Sequence, residues 1–405
     1  MDTITHGIAG ALLGKAVCRG DDMFSRKPMN RARIVTWSLM LGAIFPDSDV
    51  FRDMVSRNDL LILTWHRSVT HSLVCLPLFA IALAALTRWF VRWRKWDAPS
   101  FAALTGIYAI GILSHILLDL VTSFGTMIWS PLKWSRPAWD LIFIIDFSLS
   151  ALLLVPQIVA WVYARGEGLR RRALASWLVF GSAALAVAAF AAVIGAPISP
   201  RAILIVVLVL AAAFLLPAMR GWGLRVRLAS WNLAGLLLAV VYIVAAMVAH
   251  RAALARVDHL ASALHLDAES RGALPFPPSL WNWDGLIRTP RGVYELRMDL
   301  NGQPSSVQAA GTLDGSAAAL GYRYFPDSPE NSYIDAAKRL PEVQTVLWFA
   351  RFPLTRFHTE GGDAIVEISD LRFPQTRPDR PASFTYRVRL TSDGRVLSQG
   401  WVRPR

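Results

Sequence analysis

A series of apolar runs separated by basic loops limits what this chain can fold into. Eight runs can be drawn, at about residues 4–18, 34–46, 72–90, 101–121, 139–163, 173–196, 202–217 and 229–250. About 17 to 25 apolar residues suffice for a helix to cross the ~30 Å hydrocarbon core of a bilayer. Within that core only helices or closed barrels satisfy their own backbone polar groups. The first two runs are short for full spans, which suits helices that are tilted, re-entrant or packed inside a bundle. Gly7, Gly10 and Gly14 in the first recur at helical spacing, as close helix contact requires. The composition agrees: 54% of the 405 residues are hydrophobic and the mean hydropathy is +0.39, too apolar for a soluble protein of this size. The N-terminal "MDTITHGIAG" has neither the basic start nor the small-residue cleavage site of a removable signal.

The formal charge of +13 does not indicate a nucleic-acid partner. Residues 1–250 hold 23 Lys/Arg against 12 Asp/Glu, whereas residues 251–405 hold 19 against 17. The basic excess lies between apolar runs, where loop charge sets orientation in the membrane. It concentrates after the first run (Arg19, Arg26, Lys27, Arg31, Arg33), the third (Arg88, Arg92, Arg94, Lys95), the fifth (Arg165, Arg170, Arg171, Arg172) and the seventh (Arg220, Arg225, Arg227). These loops are expected in the cytoplasm, which puts the loops at 47–71 and 122–138, and both ends of the chain, on the extracytoplasmic side. Cys18 and Cys75 form no CxxC and no disulfide framework.

The composition changes near residue 255, where "ALPFPPSLWNWDG" leads into a tail with strand-like runs. These are "GVYELRMDL", "TVLWFARF", "AIVEISDLRF" and "SFTYRVRLTSDGRVLSQGWV", the last with a hairpin signal at Asp393-Gly394. "SYIDAAKRL" reads as one helix. The expected fold is mainly α: a polytopic transmembrane helical bundle followed by a small β-rich (α+β) soluble domain. Its parts are a His/Asp-rich membrane bundle over 1–163, further transmembrane helices over 164–252, and the β-rich domain over 253–405.

The chemistry is concentrated early. Four of the eight histidines, His6, His66, His71 and His115, lie near the ends of apolar runs on one side of the membrane. Aspartates accompany them: Asp47 and Asp49 in "FPDSD", Asp119 in "SHILLDL" and Asp140 in "AWDL". A lone histidine at a helix end is usually an interfacial structural residue. Several ionisable groups at one membrane level are a different matter, because each is expensive there and usually faces the bundle interior for a functional reason. His115 and Asp119, four apart, share one helix face. Imidazole with carboxylate suits zinc, or manganese and iron, and a bound ion makes hydroxide available for hydrolysis. HExxH, GxSxG, Walker A and GxGxxG patterns are all missing, and without a nucleophile elbow a serine hydrolase is not expected.

"THGIAG", "FPDSD", "HRSVTHS" and "SHILLDLVTSFGT" resemble the membrane-bound metal-dependent hydrolase family of inner-membrane proteins, over about residues 1–150. Their order is also similar, more distantly, to zinc-dependent phospholipase C and the P1-type nucleases, although the later His/His/Glu ligands of the phospholipases have no counterpart here. The resemblance implies a metal-dependent hydrolase in a bacterial inner membrane, holding one or two ions. It implies His6, Asp47, His66, His71, His115 and Asp119 as metal ligands. Asp49 competes with Asp47 for the ligand role. Arg67 is placed to hold an anionic substrate group such as phosphate, and Asp140 or Asp146 to orient an imidazole or join the site. Because His66 and His71 are five apart, the chain must turn between them, with Thr70 or Ser72 free to cap the next helix or orient a ring. A site near the interface favours a membrane lipid or a lipid-linked substrate. The rival is a metal-ion transporter, or a metal-dependent sensor or scaffold, built on the same ligands.

Overall fold

The computed structural model describes residues 1–18, 30–56, 59–193, 198–301, 321–373 and 384–402. The eight apolar runs all become helices: α1 (Thr3–Val17), α2 (Arg31–Ile44), α5 (Leu76–Trp93), α6 (Phe101–Leu120), α7 (Phe147–Val162), α8 (Leu169–Val193), α9 (Pro200–Met219) and α10 (Leu228–Ala263). Two short helices, α3 (Val50–Val55) and α4 (Leu61–Thr64), lie in the loop between α2 and α5. Six of the described helical stretches are long and apolar enough to cross a membrane. α1 and α7, with 15 and 16 residues, are shorter.

Side-chain caps set several helix starts. Asp2, Asn30, Ser100, Asp146 and Ser199 each accept a hydrogen bond from a backbone N–H three residues on, satisfying a donor that the first turn leaves free. The fifth apolar run differs from expectation: only its part from Phe147 onward is helical, because Asp146 caps the helix there and residues 139–146 precede it as irregular chain.

α1, α2 and α6 form a tight layer. A Cβ on Gly10 would lie 2.7 Å from the Leu39 carbonyl, and one on Gly111 would lie 2.8 Å from it. Backbones therefore touch where side chains would hold them apart. α5 packs on the other flank of α6, and α7 and α10 pack against α1. Many residues of α8, α9 and α10 are exposed and apolar, among them Leu178, Val209 and Val241, as suits helices facing lipid.

α10 runs on through the boundary expected at residue 252. Its 36 residues make a rod of about 54 Å at 1.5 Å per residue, well beyond a bilayer core. Ala253, Val257 and Leu260 near its end are buried against the first of two sheets. That sheet is an antiparallel meander of β1 (Ser270–Phe276), β2 (Asn282–Thr289), β3 (Gly292–Asp299) and β4 (Tyr322–Pro326). The second is a meander of β5 (Pro353–Glu360), β6 (Asp363–Asp370), β7 (Thr385–Leu390) and β8 (Val396–Trp401), with Gly394 at φ +83° in the turn between β7 and β8. Helices α11 (Ser332–Lys338) and α12 (Pro341–Phe349) lie between the sheets in sequence. "TVLWFARF" is therefore mostly helix and not strand. Pro341 begins the helix, and Val343, Val346 and Phe349 form its buried stripe at a spacing of three.

The second sheet docks on the loops of the bundle. Leu60, Leu63 and Phe124 share a hydrophobic core with Val346, Phe349, Val366 and Val388. Trp401 donates from Nε1 to the Asp59 carbonyl at 2.9 Å, and Arg372 donates to the Ser123 carbonyl at 3.0 Å. The β-rich domain thus covers the same end of the bundle that carries the histidines.

Candidate metal centre

Four elements bring ionisable side chains to one point. α1 carries His6 in its first turns. α2 stops at "FPDSD", where Phe45–Asp49 winds into a 3-10 turn that presents Asp47 and Asp49. α6 carries His115 and Asp119 on its buried face, one turn apart. Between His66 and His71 the chain does turn: Arg67 adopts φ +58°, and Val69–His71 forms a 3-10 turn. A left-handed arginine is uncommon and needs support from its surroundings. Its backbone N–H donates to Asp49 Oδ2 at 2.9 Å, and its carbonyl accepts from Met127 N at 2.9 Å.

One ligand atom each from Asp47, His71, His115 and Asp119 lies within 4.8 Å of the others. His71 Nε2 and His115 Nε2 are 3.0 Å apart. His71 Nε2 is 3.2 Å from Asp119 Oδ2 and 3.6 Å from Asp47 Oδ1. His115 Nε2 is 3.4 Å from each of the same oxygens. A tetrahedral ion with bonds of about 2.0–2.1 Å needs ligand atoms about 3.3–3.4 Å apart, so these spacings match one.

The hydrogen bonds around the cluster settle which lone pairs face inward. His115 Nδ1 lies 2.6 Å from the Ala43 carbonyl, which can only accept, so this nitrogen carries the proton. His71 Nδ1 lies 3.0 Å from Thr70 Oγ1 and 3.5 Å from Asp49 Oδ2, and the carboxylate again calls for a proton on that nitrogen. With the proton on Nδ1, each ring in its neutral form presents its Nε2 lone pair to the other ring and to two carboxylate oxygens. The carboxylates are divided in the same way. Thr3 donates to Asp47 Oδ2 at 2.6 Å, which leaves Oδ1 inward. Asp119 Oδ1 is held by Arg67 Nη2 at 2.9 Å, by His6 Nε2 at 3.2 Å and by the Met1 nitrogen. Asp119 Oδ2 is fully buried and has no hydrogen-bond partner. Four electron-rich atoms around one point, each oriented by a partner on its far side, are the donor set and outer support of a divalent cation. These residues fit a metal ion.

Not every predicted residue lies in the cluster. His6 sits beside it, stacked on His115 with ring centroids 3.6 Å apart and bonded to Asp119. Asp49 lies behind His71 and bonds His66 Nδ1 at 3.0 Å, Thr70 Oγ1 at 3.3 Å and the Arg67 N–H. His66 is at the rim, with 18% of its side chain exposed. Arg67 is buried; its Nη2 holds Asp119 and its Nη1 donates to Thr122 Oγ1 at 3.0 Å. Asp140 lies elsewhere. At φ +54° it forms a two-point pair with Arg351 of the β-rich domain, both contacts at 2.9 Å. Asp146 caps α7 and accepts from Tyr242 Oη at 2.8 Å; it reaches no imidazole. Ser72 donates to the Ser130 carbonyl and does not touch a ring.

Sequence reasoning missed Thr3, the Ala43 carbonyl, Thr122 and Arg136. Ala43 had a signal: its carbonyl is among the last four of α2, which no helical N–H satisfies. Arg136 braces the histidine loop by donating to the carbonyls of Leu63, His66 and Gly125. Burial, with Arg67 and Arg372 nearby, pushes its guanidinium down to about 9, which leaves it cationic at neutral pH.

Residues 1–195 match the model of the family described as YdjM inner membrane protein. No curated protein and no solved structure matches the chain. This match and the membrane-length helices support a multi-pass inner-membrane protein.

Proposed function

We propose that Asp47, His71, His115 and Asp119 hold a divalent ion, zinc being the best match, and that the protein is a hydrolase acting on an ester or phosphoester of a membrane lipid or lipid-linked substrate. The observation that carries this reading is the pair of inward Nε2 atoms 3.0 Å apart, beside a buried carboxylate oxygen that nothing else satisfies. A bound ion of this kind lowers the pKa of a coordinated water toward neutrality and polarises an ester oxygen. The chain supplies the rest. Asp49 holds His66 at the solvent-facing rim, where its imidazole is positioned to accept or return a proton during hydrolysis. Arg67 is a positioning residue whose guanidinium fixes Asp119 and Thr122.

Hydrolysis is favoured over transport because the ligands gather at one end of the bundle, while helices such as α9 are apolar beyond Arg201 in their first turn. In this reading the site and the β-rich domain face away from the cytoplasm. Loop charge supports that orientation. Reporter fusions after residues 95 and 172 are then expected to read as cytoplasmic, and fusions near 60 and after 260 as extracytoplasmic.

The direct test is turnover of a panel of lipid phosphoesters and carboxylic esters by purified protein whose metal has been quantified. Hydrolysis that disappears on chelation and returns with zinc or manganese is expected. A fully metallated protein that turns over none of the panel would overturn the hydrolase reading.

A further inference from the structure

A cavity of about 860 Å³ opens between α2 and α5. Both helices pack along α6, and the space between them is not filled by side chains. Its floor is buried: Ile34 and Ser38 of α2, Val91 of α5 and Tyr108 of α6. Its rim is exposed and apolar, with Leu41 and Phe51 on one side and Leu86 and Trp89 on the other. Such a rim faces the lipid phase of a membrane. Two of its hydroxyls are already occupied, since Thr87 Oγ1 and Tyr108 Oη bond each other at 2.6 Å. The cleft therefore offers little beyond dispersion and apolar contact to whatever fills it.

One end of the cleft is not apolar. Thr3 and Asp47 both line it, and they are bonded to each other at 2.6 Å. Asp47 is also a member of the candidate metal cluster, so the cleft adjoins that site through this side chain. From Asp47 back to Ile34 the wall is about 20 Å long, at ~2.0 Å per residue through the 3-10 turn and ~1.5 Å through the helix. That is more than half the ~30 Å hydrocarbon thickness, the reach of a chain within one leaflet. The volume lies within the range of small-ligand sites, about 300–1,000 Å³.

We propose that this cleft seats one acyl chain of a membrane phospholipid, entering sideways between α2 and α5, with the ester end of the chain delivered to Asp47. The inference names the substrate class of the site and rests on the hydrolase reading only for what happens at the headgroup. Occupancy of the cleft does not depend on turnover. An acyl chain, not a protein segment, is the occupant because the cleft has an exposed apolar rim along its length, a mostly apolar lining and an end at Asp47 of the cluster.

The full-length protein in phosphatidylcholine vesicles, doped with a phosphatidylglycerol bearing a diazirine near the end of one acyl chain, provides the test. Photolabel is expected to concentrate on α2 and α5, away from the exposed faces of α8 and α9. Leu41→Trp and, independently, Leu83→Trp are expected to cut that label by about tenfold, within the range by which apolar pockets discriminate, with metal content unchanged. Label spread evenly over all lipid-facing helices, or unaffected by both tryptophans, would overturn the proposal and leave ordinary boundary lipid. Confined label without hydrolysis of any lipid would sustain the cleft and remove the hydrolase reading. Hydrolysis with unconfined label would do the reverse.

Discussion

The two ends of the α6–α7 connection hold buried charge in opposite ways. On one side Asp140 is matched at two points by Arg351, and Asp146 by a helix N-terminus and Tyr242. Every carboxylate oxygen there has a donor. On the other side, Asp47, His71, His115 and Asp119 turn electron-rich atoms toward each other, and Asp119 Oδ2 has no donor at all. Burying a charged group is tolerable only when it is paired or holds a metal. The first arrangement is complete as it stands and joins two parts of the molecule. The second presents a donor set that could hold a cation, which is what separates a candidate site from a strut.

Substitutions in the two regions are accordingly expected to have different consequences. The largest effect is expected for His115→Ala. It removes a ligand and is expected to lower bound metal to background by elemental analysis, with loss of any metal-dependent hydrolysis. Retention of wild-type stoichiometry would place His115 among the struts. Asp49→Asn comes next. It touches no inward atom but weakens the partner of His71 and His66, and such losses typically cost about 10- to 100-fold in metal affinity. Competition with a chromophoric chelator would measure it.

Arg351→Ala tests the other half of the comparison. Metal content is expected to be unchanged, while thermal unfolding in detergent shows a loss of about 1–2 kcal/mol, less than a fully buried pair would cost because Arg351 is one-third exposed. Concurrent loss of metal would mean that the docked domain holds the site together. Asp146→Ala is expected to have the smallest effect on the site: wild-type metal affinity, with about 2 kcal/mol of stability lost from the cap and the Tyr242 bond together. A tenfold drop in affinity would restore Asp146 as an imidazole-orienting residue.

Much of this was legible in the chain. His115 and Asp119 stand out because they are costly residues one turn apart inside an apolar helix, and "FPDSD" announces a helix end with two carboxylates. Which histidines converge was less legible. His6 and His66 have the same chemistry as His71 and His115, and only the path of the chain, notably the left-handed Arg67, turns one pair inward and leaves the other alongside. Asp140 looked like a site residue because its partner lies 211 positions away in another domain, beyond any local pattern. "TVLWFARF" was misassigned for a local reason. Its β-branched and aromatic residues suit a strand, whereas the helix start at Pro341 and Glu342 lies just outside the run.

X-ray absorption at the edge of the metal retained by the purified wild-type protein tests the central claim most directly. Light-atom ligands at about 2.0–2.1 Å are predicted, with outer-shell scattering from two imidazoles, matching His71 and His115. A protein that retains no metal after gentle purification and takes none up on reconstitution would contradict the account, as would a bound ion whose spectrum lacks imidazole.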